Sequence, residues 1–439
     1  MVHSLEWLLQ NSMDNRVVIT GLGVVAPNGV GLEAFEAALR AGRSGIRFDG
    51  ELEALKFSCQ ISGKPQLSES DIAPYFSTLE LRNFNSKGIM YGVIAGIDSW
   101  KDAGLPLFNN GDPSWDYGLV FGSGTSGIDR FREAIYDIDA LNVRRLGSTV
   151  VLQTMNSGVS AYLSGKLGLG NQIITNSSAC STGTESLLMA YERISSGKAS
   201  VVLSGATSDS GPYIWGGFDA MKVCTYKYNQ EPEHGSRPMS SSASGFVPGS
   251  GAGALVVESL DHALARGARI YAEVLGGHVN SGGQRGKGSM TAPNSVAVQR
   301  CIREALHHAG VSANEVDLIN GHLTATAMDV LEIHNWAEAL DRCGTDFPFI
   351  NTLKGMTGHC LTAAGSIECV ASVLQLHNHF VFPNINCEVP HPEILKLVAS
   401  EKIPRETLNR QSRILIKASF GIGDINACVV LKKYSEPDA

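Results

Sequence analysis

The sequence predicts a layered α/β fold made of two similar halves. Three observations carry that prediction: strands and helices alternate along the chain, one order of elements occurs twice, and glycines gather at the ends of apolar runs. The 48 glycines far outnumber the 16 prolines, as a fold with many tight strand-to-helix turns requires.

The first half opens with Arg16–Gly29, a strand ending in a Gly/Asn turn, and the second with Arg269–Gly282, of the same build. Each opening is followed by a helical segment ending in Ala-Gly, over Ile89–Gly104 and Ser295–Gly310. Next comes a strand running into a small polar loop, at Tyr117–Gly124 and Val316–His322. A strand, a Ser/Thr/Gly loop and an apolar helix follow, over 172–194 and 349–376. Two β-rich runs close each half: Ala199–Ala206 with Gly253–Glu258, and Arg413–Ser419 with Asn426–Lys432. The expected units are therefore 16–268 and 269–434, related by a pseudo-twofold axis that brings corresponding strand ends to one site. The longer insertions Arg40–Asn85 and Thr125–Gly170 are expected to form caps or contacts.

Composition excludes several function classes. Hydrophobic residues make up 43% and charged residues 18% of the chain, which describes a packed globule. The formal net charge of −8 leaves no basic excess for displacing counterions from nucleic acid. Nine cysteines lie singly, without a CxxC pair, so neither a disulfide framework nor a structural zinc site is expected, and a reducing cytoplasmic setting fits. Residues Met1–Asn15 lack the pattern of a secretory signal and read as an extension or short helix. No apolar run reaches membrane-spanning length, and the most apolar helix, near 361–376, carries Glu368.

The chemistry concentrates at strand-end loops. Cys180 lies in the small polar run Asn176–Thr184, between a strand-like segment and the helical stretch Glu185–Ile194. A thiol at a helix start feels unpaired backbone N–H groups and the positive end of the macrodipole, so a thiolate is expected. His322 follows an apolar strand in Asn320–Thr326, and His359 ends Lys354–His359. The glycine turn Ser419–Asp424 follows the last long apolar strand and can aim backbone N–H groups at a carbonyl. A thiolate with two imidazoles suits acyl chemistry on thioesters: sulfur accepts the acyl group, and neutral N–H groups polarise a carbonyl or stabilise an enolate. Glu368 on an apolar helix needs a partner if ionised, and Lys354 is the natural candidate.

These motifs resemble those of the elongating β-ketoacyl-acyl carrier protein synthases, the type II ketosynthases of the thiolase superfamily, from Arg16 to Lys432. Ser178–Gly183 resembles the active-site cysteine motif, Asn320–Thr326 and Lys354–His359 the two histidine motifs, and Phe420–Asn426 the glycine-rich signature. The resemblance implies an α/β thiolase-like fold of duplicated βαβαβαββ halves packed in αβαβα layers, and a decarboxylative Claisen condensation. Cys180 would take an acyl chain from carrier protein, with the N–H groups of Cys180 and Phe420 holding the oxyanion. His322 and His359 would stabilise the enolate from malonyl-carrier protein, giving a 3-oxoacyl product. Lys354 and Glu368 match supporting charges, Phe420 the gate of the acyl pocket, and Thr324, Thr326 and Gly421 substrate-binding positions. No metal or organic cofactor is implied, because phosphopantetheine arrives on the carrier. The implied partners are acyl carrier protein and a second copy of the chain, or a related subunit in a heterodimer. Arg130, Arg132, Arg144 and Arg145 are candidate contributors to a basic docking patch.

The pattern departs from the family in places. Serines, among them Ser240, Ser244 and Ser250, stand where charged residues are usual, and Ile422, Asp424, Ile425 and Leu323 alter the motifs. A specialised ketosynthase for a polyketide or polyene is therefore an alternative to fatty acid synthesis. A non-catalytic chain-length-factor subunit would lack Cys180. A degradative thiolase would use a second cysteine near the glycine turn, where Cys428 is instead expected inside a strand.

Overall fold

The computed structural model describes residues 15–107 and 111–435. The expected N-terminal extension lies outside them except for Asn15, whose N–H donates to Ser195 O at 3.1 Å.

One mixed sheet organises the chain. Its strands are β1 (Val17–Ala26), β2 (Tyr117–Ser123), β3 (Ile173–Ile174), β4 (Val201–Ser208), β5 (Gly251–Ser259), β6 (Ala272–Ser281), β7 (Leu318–Asn320), β8 (Phe349–Asn351), β9 (Ile414–Gly421) and β10 (Ile425–Lys433). The spatial order is β8-β7-β9-β10-β6-β1-β5-β4-β2-β3. Read outward from the centre, β1-β5-β4-β2-β3 and β6-β10-β9-β7-β8 follow the same plan. In each, the three outer strands are parallel and the two inner pairings antiparallel. The halves meet antiparallel, Val17 opposite Val274.

The helices sort into layers because most strands are covered on both faces. Residues Val17–Ala26 are all buried, the near-continuous apolar run that double coverage demands. Helices α1 (Lys87–Asp102), α2 (Ile128–Asp139) and α3 (Gly158–Leu167) belong to the first half, and α5 (Ser295–His308) and α6 (Met328–Leu340) to the second. Helix α1 packs on β1, β5 and β4, with α3 beside it, while α5 packs on β6 and β10 against α6. Helices α4 (Thr182–Ser195) and α7 (Ala364–Asn378) pack on each other and on strands of both halves, giving the αβαβα arrangement. Every residue of α7 from Ala364 through Leu376 is buried, as an inner-layer helix must be. Close approach of α4 and α7 requires glycine: a Cβ at Gly183 would stand 2.2 Å from Ser366 N. The second insertion thus supplies part of an outer layer, and the first holds a small paired-strand unit, Ile46–Phe48 with Ile61–Gly63.

Parallel strands place their C-terminal ends on one edge of the sheet. Within each half the outer parallel strands end together: the loop after β3 in the first half carries Cys180, and the loops after β7, β8 and β9 in the second carry His322, His359 and the glycine turn, strand ends being where α/β sheets commonly bind ligands.

Candidate active site

Cys180 is set by hydroxyls. Ser178 N–H donates to Thr182 Oγ1 at 2.8 Å, and Thr182 Oγ1 donates to Ala179 O at 2.7 Å. Ser181 Oγ reaches Ser419 O and Ile425 O, tying the loop to β9 and β10. Cys180 itself sits in a short 3₁₀ turn, Ala179–Ser181, that precedes α4. Ala179 has φ 48, so a non-glycine residue holds the left-handed region beside the nucleophile. Leu323 (φ 23) follows His322, and Leu361 (φ 51) lies two residues after His359. Strain of this kind costs on the order of 1–3 kcal/mol per residue and collects at functional sites.

Two carboxylates on α6 hold the His322 loop. Glu332 accepts from the N–H of His322 and of Leu323, both at 2.7 Å. Asp329 accepts from Thr324 N at 2.8 Å, Ala325 N at 3.1 Å and Met239 N at 2.8 Å. Burial raises Asp329 to about 6 and Glu332 to about 7. The serine-rich loop braces the other side: Gly245 N donates to Ala325 O, His359 N to Val247 O, and Gly249 N to His359 O. Gly358, at φ 69, makes this contact possible, since a Cβ there would meet Val247 O at 2.7 Å. Hydroxyls add to the hold on the loop, with Ser236 Oγ donating to Lys354 O at 2.6 Å and Ser244 paired with Thr225 at 2.6 Å, beside the Arg237–Glu388 ion pair.

These supports bring the three reactive groups together. Cys180 Sγ and a ring nitrogen from each of His322 and His359 all lie within 4.8 Å of one another. His359 Nε2 is 3.1 Å from the sulfur, and the two imidazoles meet edge to face at 5.3 Å between centroids. They form one wall of a cavity of about 300 Å³ whose other lining includes Phe218, Met221, Phe246, Thr324 and Thr326.

Burial, more than the helix start, decides the protonation of the cysteine. Desolvation raises the Cys180 thiol above its ordinary value, against the lowering effect of the Ile422 N–H and of Lys354. The resting sulfur is a thiol, contrary to the thiolate expected from the helix start. Both imidazoles are held well below the usual histidine range, first by desolvation and then by nearby positive charge, Lys354 and Lys417 among it. They are neutral at pH 7.

Lys354 pairs with Glu368, as the sequence suggested, but the pair has a third member. Lys354 Nζ contacts Glu368 Oε1, and Lys417 Nζ lies 2.9 Å from Oε2. All three side chains are buried, so the cluster carries one net positive charge. That charge opposes a divalent cation at the neighbouring Cys-His-His set. The arrangement suits acyl transfer.

One donor is added and one expectation needs correction. The backbone N–H of Ile422, just past the Phe420–Gly421 end of the ladder, is hydrogen-bonded toward Cys180 Sγ. The Phe420 ring packs 6.3 Å from His322, and Gly421 approaches the cysteine loop so closely that a Cβ would sit 3.2 Å from Cys180 N. Of the four arginines, Arg130 is buried and committed to Glu133 and Leu146 O, so it offers no docking charge. Arg132 lies over the Tyr213 ring at 4.6 Å, and Arg144 and Arg145 are exposed.

Residues 14–263 match the β-ketoacyl synthase N-terminal domain and 271–388 its C-terminal domain. The chain belongs to the β-ketoacyl synthase family. It is 35% identical over 427 residues to 3-oxoacyl-[acyl-carrier-protein] synthase 1 of Escherichia coli K12, covering 96% of this chain and 100% of the relative. A β-ketoacyl synthase from Burkholderia phymatum STM815 superposes with a TM-score of 0.86 at 28% identity, covering 96% of this chain and all of that one. A type II polyketide ketosynthase in complex with its acyl-carrier protein aligns with a TM-score of 0.83 at 27% identity, again over 96% and 100% of the two chains.

Sequence reasoning missed Asp329, Glu332, Lys417 and Ile422. Lys417 had a legible signal, a lone charge inside the apolar run Ile414–Ala418, of the kind that drew attention to Glu368. Asp329 and Glu332 sit three residues apart just beyond the His322 motif, a spacing that places both on one helix face.

Proposed function

We infer that the protein is an acyltransferase that condenses an acyl-cysteine with malonyl-acyl carrier protein, giving a 3-oxoacyl-acyl carrier protein in fatty acid biosynthesis. The observation that carries this reading is one buried thiol meeting two neutral imidazoles at the wall of an apolar cavity.

In the first half-reaction the Cys180 thiol passes its proton to His359 Nε2 as sulfur attacks the acyl thioester. The family resemblance gives the developing oxyanion to the N–H groups of Cys180 and Phe420, while the Ile422 N–H donates to the sulfur. The carrier thiol leaves with a proton, and the acyl group stays on Cys180. Malonyl-carrier protein then enters past Thr324 and Thr326. Its carboxylate leaves as carbon dioxide, and the electrons of the broken C–C bond form an enolate whose oxygen accepts hydrogen bonds from His322 and His359. A neutral imidazole is the right donor, because an imidazolium would protonate the carbanion. The enolate carbon attacks the acyl carbon and the Cys180 sulfur leaves as thiolate; a proton taken up from solvent restores the thiol, because the original one left with the carrier.

The reading takes acyl carrier protein as partner and no bound cofactor, phosphopantetheine arriving on the carrier. It also takes a second copy of the chain, or a related ketosynthase-like subunit, against the open edge strand β3, where Ile173 is exposed. A specialised polyketide or polyene ketosynthase is the second reading, favoured by the altered turn Ile422–Ile425 and the neutral serine loop. Intact-protein mass spectrometry after incubation with a panel of acyl-carrier proteins tests both. Acyl adducts on Cys180 and release of carbon dioxide from malonyl-carrier protein are expected, with chain preference separating the two. A protein that takes up no acyl group and releases no carbon dioxide would overturn the assignment.

A further inference from the structure

Lys417 stands in the middle of β9, 0% exposed, with Ile416 and Ala418 on either side. Burying an ammonium there is costly unless its donors are met. They are met: Nζ donates to Ala418 O and to Ser419 Oγ at 3.2 Å, and forms the ion pair with Glu368 Oε2 at 2.9 Å. Glu368 is already neutralised by Lys354 on its other oxygen. Lys417 therefore adds a charge the pair does not need for balance. Its register position is informative, since Lys417 lies opposite Asn320 on β7, two residues before His322.

We propose that Lys417 is a positioning residue of the condensation site, its ammonium leaving the Lys354–Glu368 pair one positive charge in excess behind His322 and His359 and so favouring neutral imidazoles and an anion on the thioester oxygen. The depression of both histidines by Lys417 agrees with this placement. The charged or titratable groups around the imidazoles are Cys180 from the α4 side, Lys354 after β8, Glu368 on α7, Lys417 on β9, and Asp329 and Glu332 on α6. The two α6 carboxylates bind the loop backbone and change charge in the same acidic range, so a rate profile alone cannot separate them from the histidines.

The inference rests on the condensation reading, and its test has two arms. In the first, carbon dioxide release from malonyl-carrier protein is followed from pH 5 to 9 for the full chain and for Lys417→Met and Lys417→Arg. Lys417→Met should raise the midpoint of the acid limb by about one unit or more, since a nearby charge shifts a pKa by roughly 1–3 units, whereas Lys417→Arg should keep it. Loss of rate in both variants with an unmoved midpoint would show a merely structural lysine and overturn the proposal. The second arm uses the native protein, with ¹³Cε1-histidine NMR assigned by the His322→Gln and His359→Gln spectra. Both imidazoles should stay neutral well below the ordinary histidine pKa of about 6.5. Protonation of both near pH 6.5 would overturn the proposal even if Lys417→Met does not fold. A wild-type protein that releases no carbon dioxide but keeps neutral histidines would instead refute the condensation reading and leave the electrostatic one standing.

Discussion

Glu368→Gln should be among the most damaging single substitutions in this protein, and a second substitution should partly repair it. Glu368, Lys354 and Lys417 are 2%, 1% and 0% exposed, so their mutual attraction is weakly screened. At the 2.9 Å separation of Lys417 Nζ and Glu368 Oε2, Coulomb attraction is about 6 kcal/mol at an effective dielectric of about 20. Much of that is offset by desolvation, and removing one partner of a buried pair typically costs about 3–5 kcal/mol. Glutamine leaves two buried ammonium groups facing each other across a neutral amide, so the loss should reach roughly 5 kcal/mol, a large share of ordinary domain stability. Lys417→Met leaves the Lys354–Glu368 pair intact and should cost only about 1–2 kcal/mol, since an apolar side chain of similar length replaces a desolvated charge. In the Glu368→Gln background the same Lys417→Met change removes a repelling ammonium and should raise stability. The assay is urea denaturation of wild type, both single variants and the double variant at pH 7, followed by intrinsic fluorescence. Equal destabilisation by Lys417→Met in both backgrounds would refute the reasoning, because additivity means that the three charges do not interact.

The remaining predictions concern the loops. Burial raises Asp329 to about 6 from 3.8, so the unfolded chain loses this proton first as pH rises and native stability falls between about pH 4 and 6, by about 3 kcal/mol from this group. Asp329→Asn should flatten that part of the stability-pH curve, measured by denaturation at pH 4, 5, 6 and 7. Gly421→Val should slow acylation of Cys180 by tenfold or more, on the order of 1.4 kcal/mol in the barrier, because its side chain would press on Cys180 N and Ser181 Oγ; single-turnover mass spectrometry reads the rate. His322→Ala should lose carbon dioxide release by about 10²-fold or more while retaining acyl-enzyme formation. His359→Ala should lose both, since its Nε2 lies 3.1 Å from the sulfur; quench-flow with acyl- and malonyl-carrier proteins separates the steps.

How far the sequence could be read follows from what kind of contact fixed each feature. The strand ends at Cys180, His322 and His359 were legible because apolar runs stop abruptly at small polar residues, and a doubled element order says that such ends converge. The Lys354–Glu368 pairing was legible from the misfit of a carboxylate on an apolar helix. Lys417 carries the same misfit, a lone charge in the apolar run Ile414–Ala418, but the sequence does not show that both lysines meet the same carboxylate. The Ile422 donor to the Cys180 sulfur depends on where a ladder stops, and periodicity does not locate a strand end that closely. Arg130 failed as a docking residue because exposure was assumed from charge, whereas its guanidinium closes the loop at Leu146.

The protonation of the cysteine shows why the site has to be weighed as a unit. A helix start and a buried setting push a thiol in opposite directions, and burial prevails at Cys180. A resting thiol needs a base within reach, and His359 can serve only if it is neutral. The same neutrality lets His322 and His359 donate to an enolate later without quenching it. Positive charge placed behind the imidazoles, but not in contact with substrate, satisfies both steps at once: it disfavours imidazolium and favours every anion the reaction forms. The Lys354–Glu368–Lys417 cluster supplies that charge from the dry interior, where screening is weak and its effect on the histidines is retained.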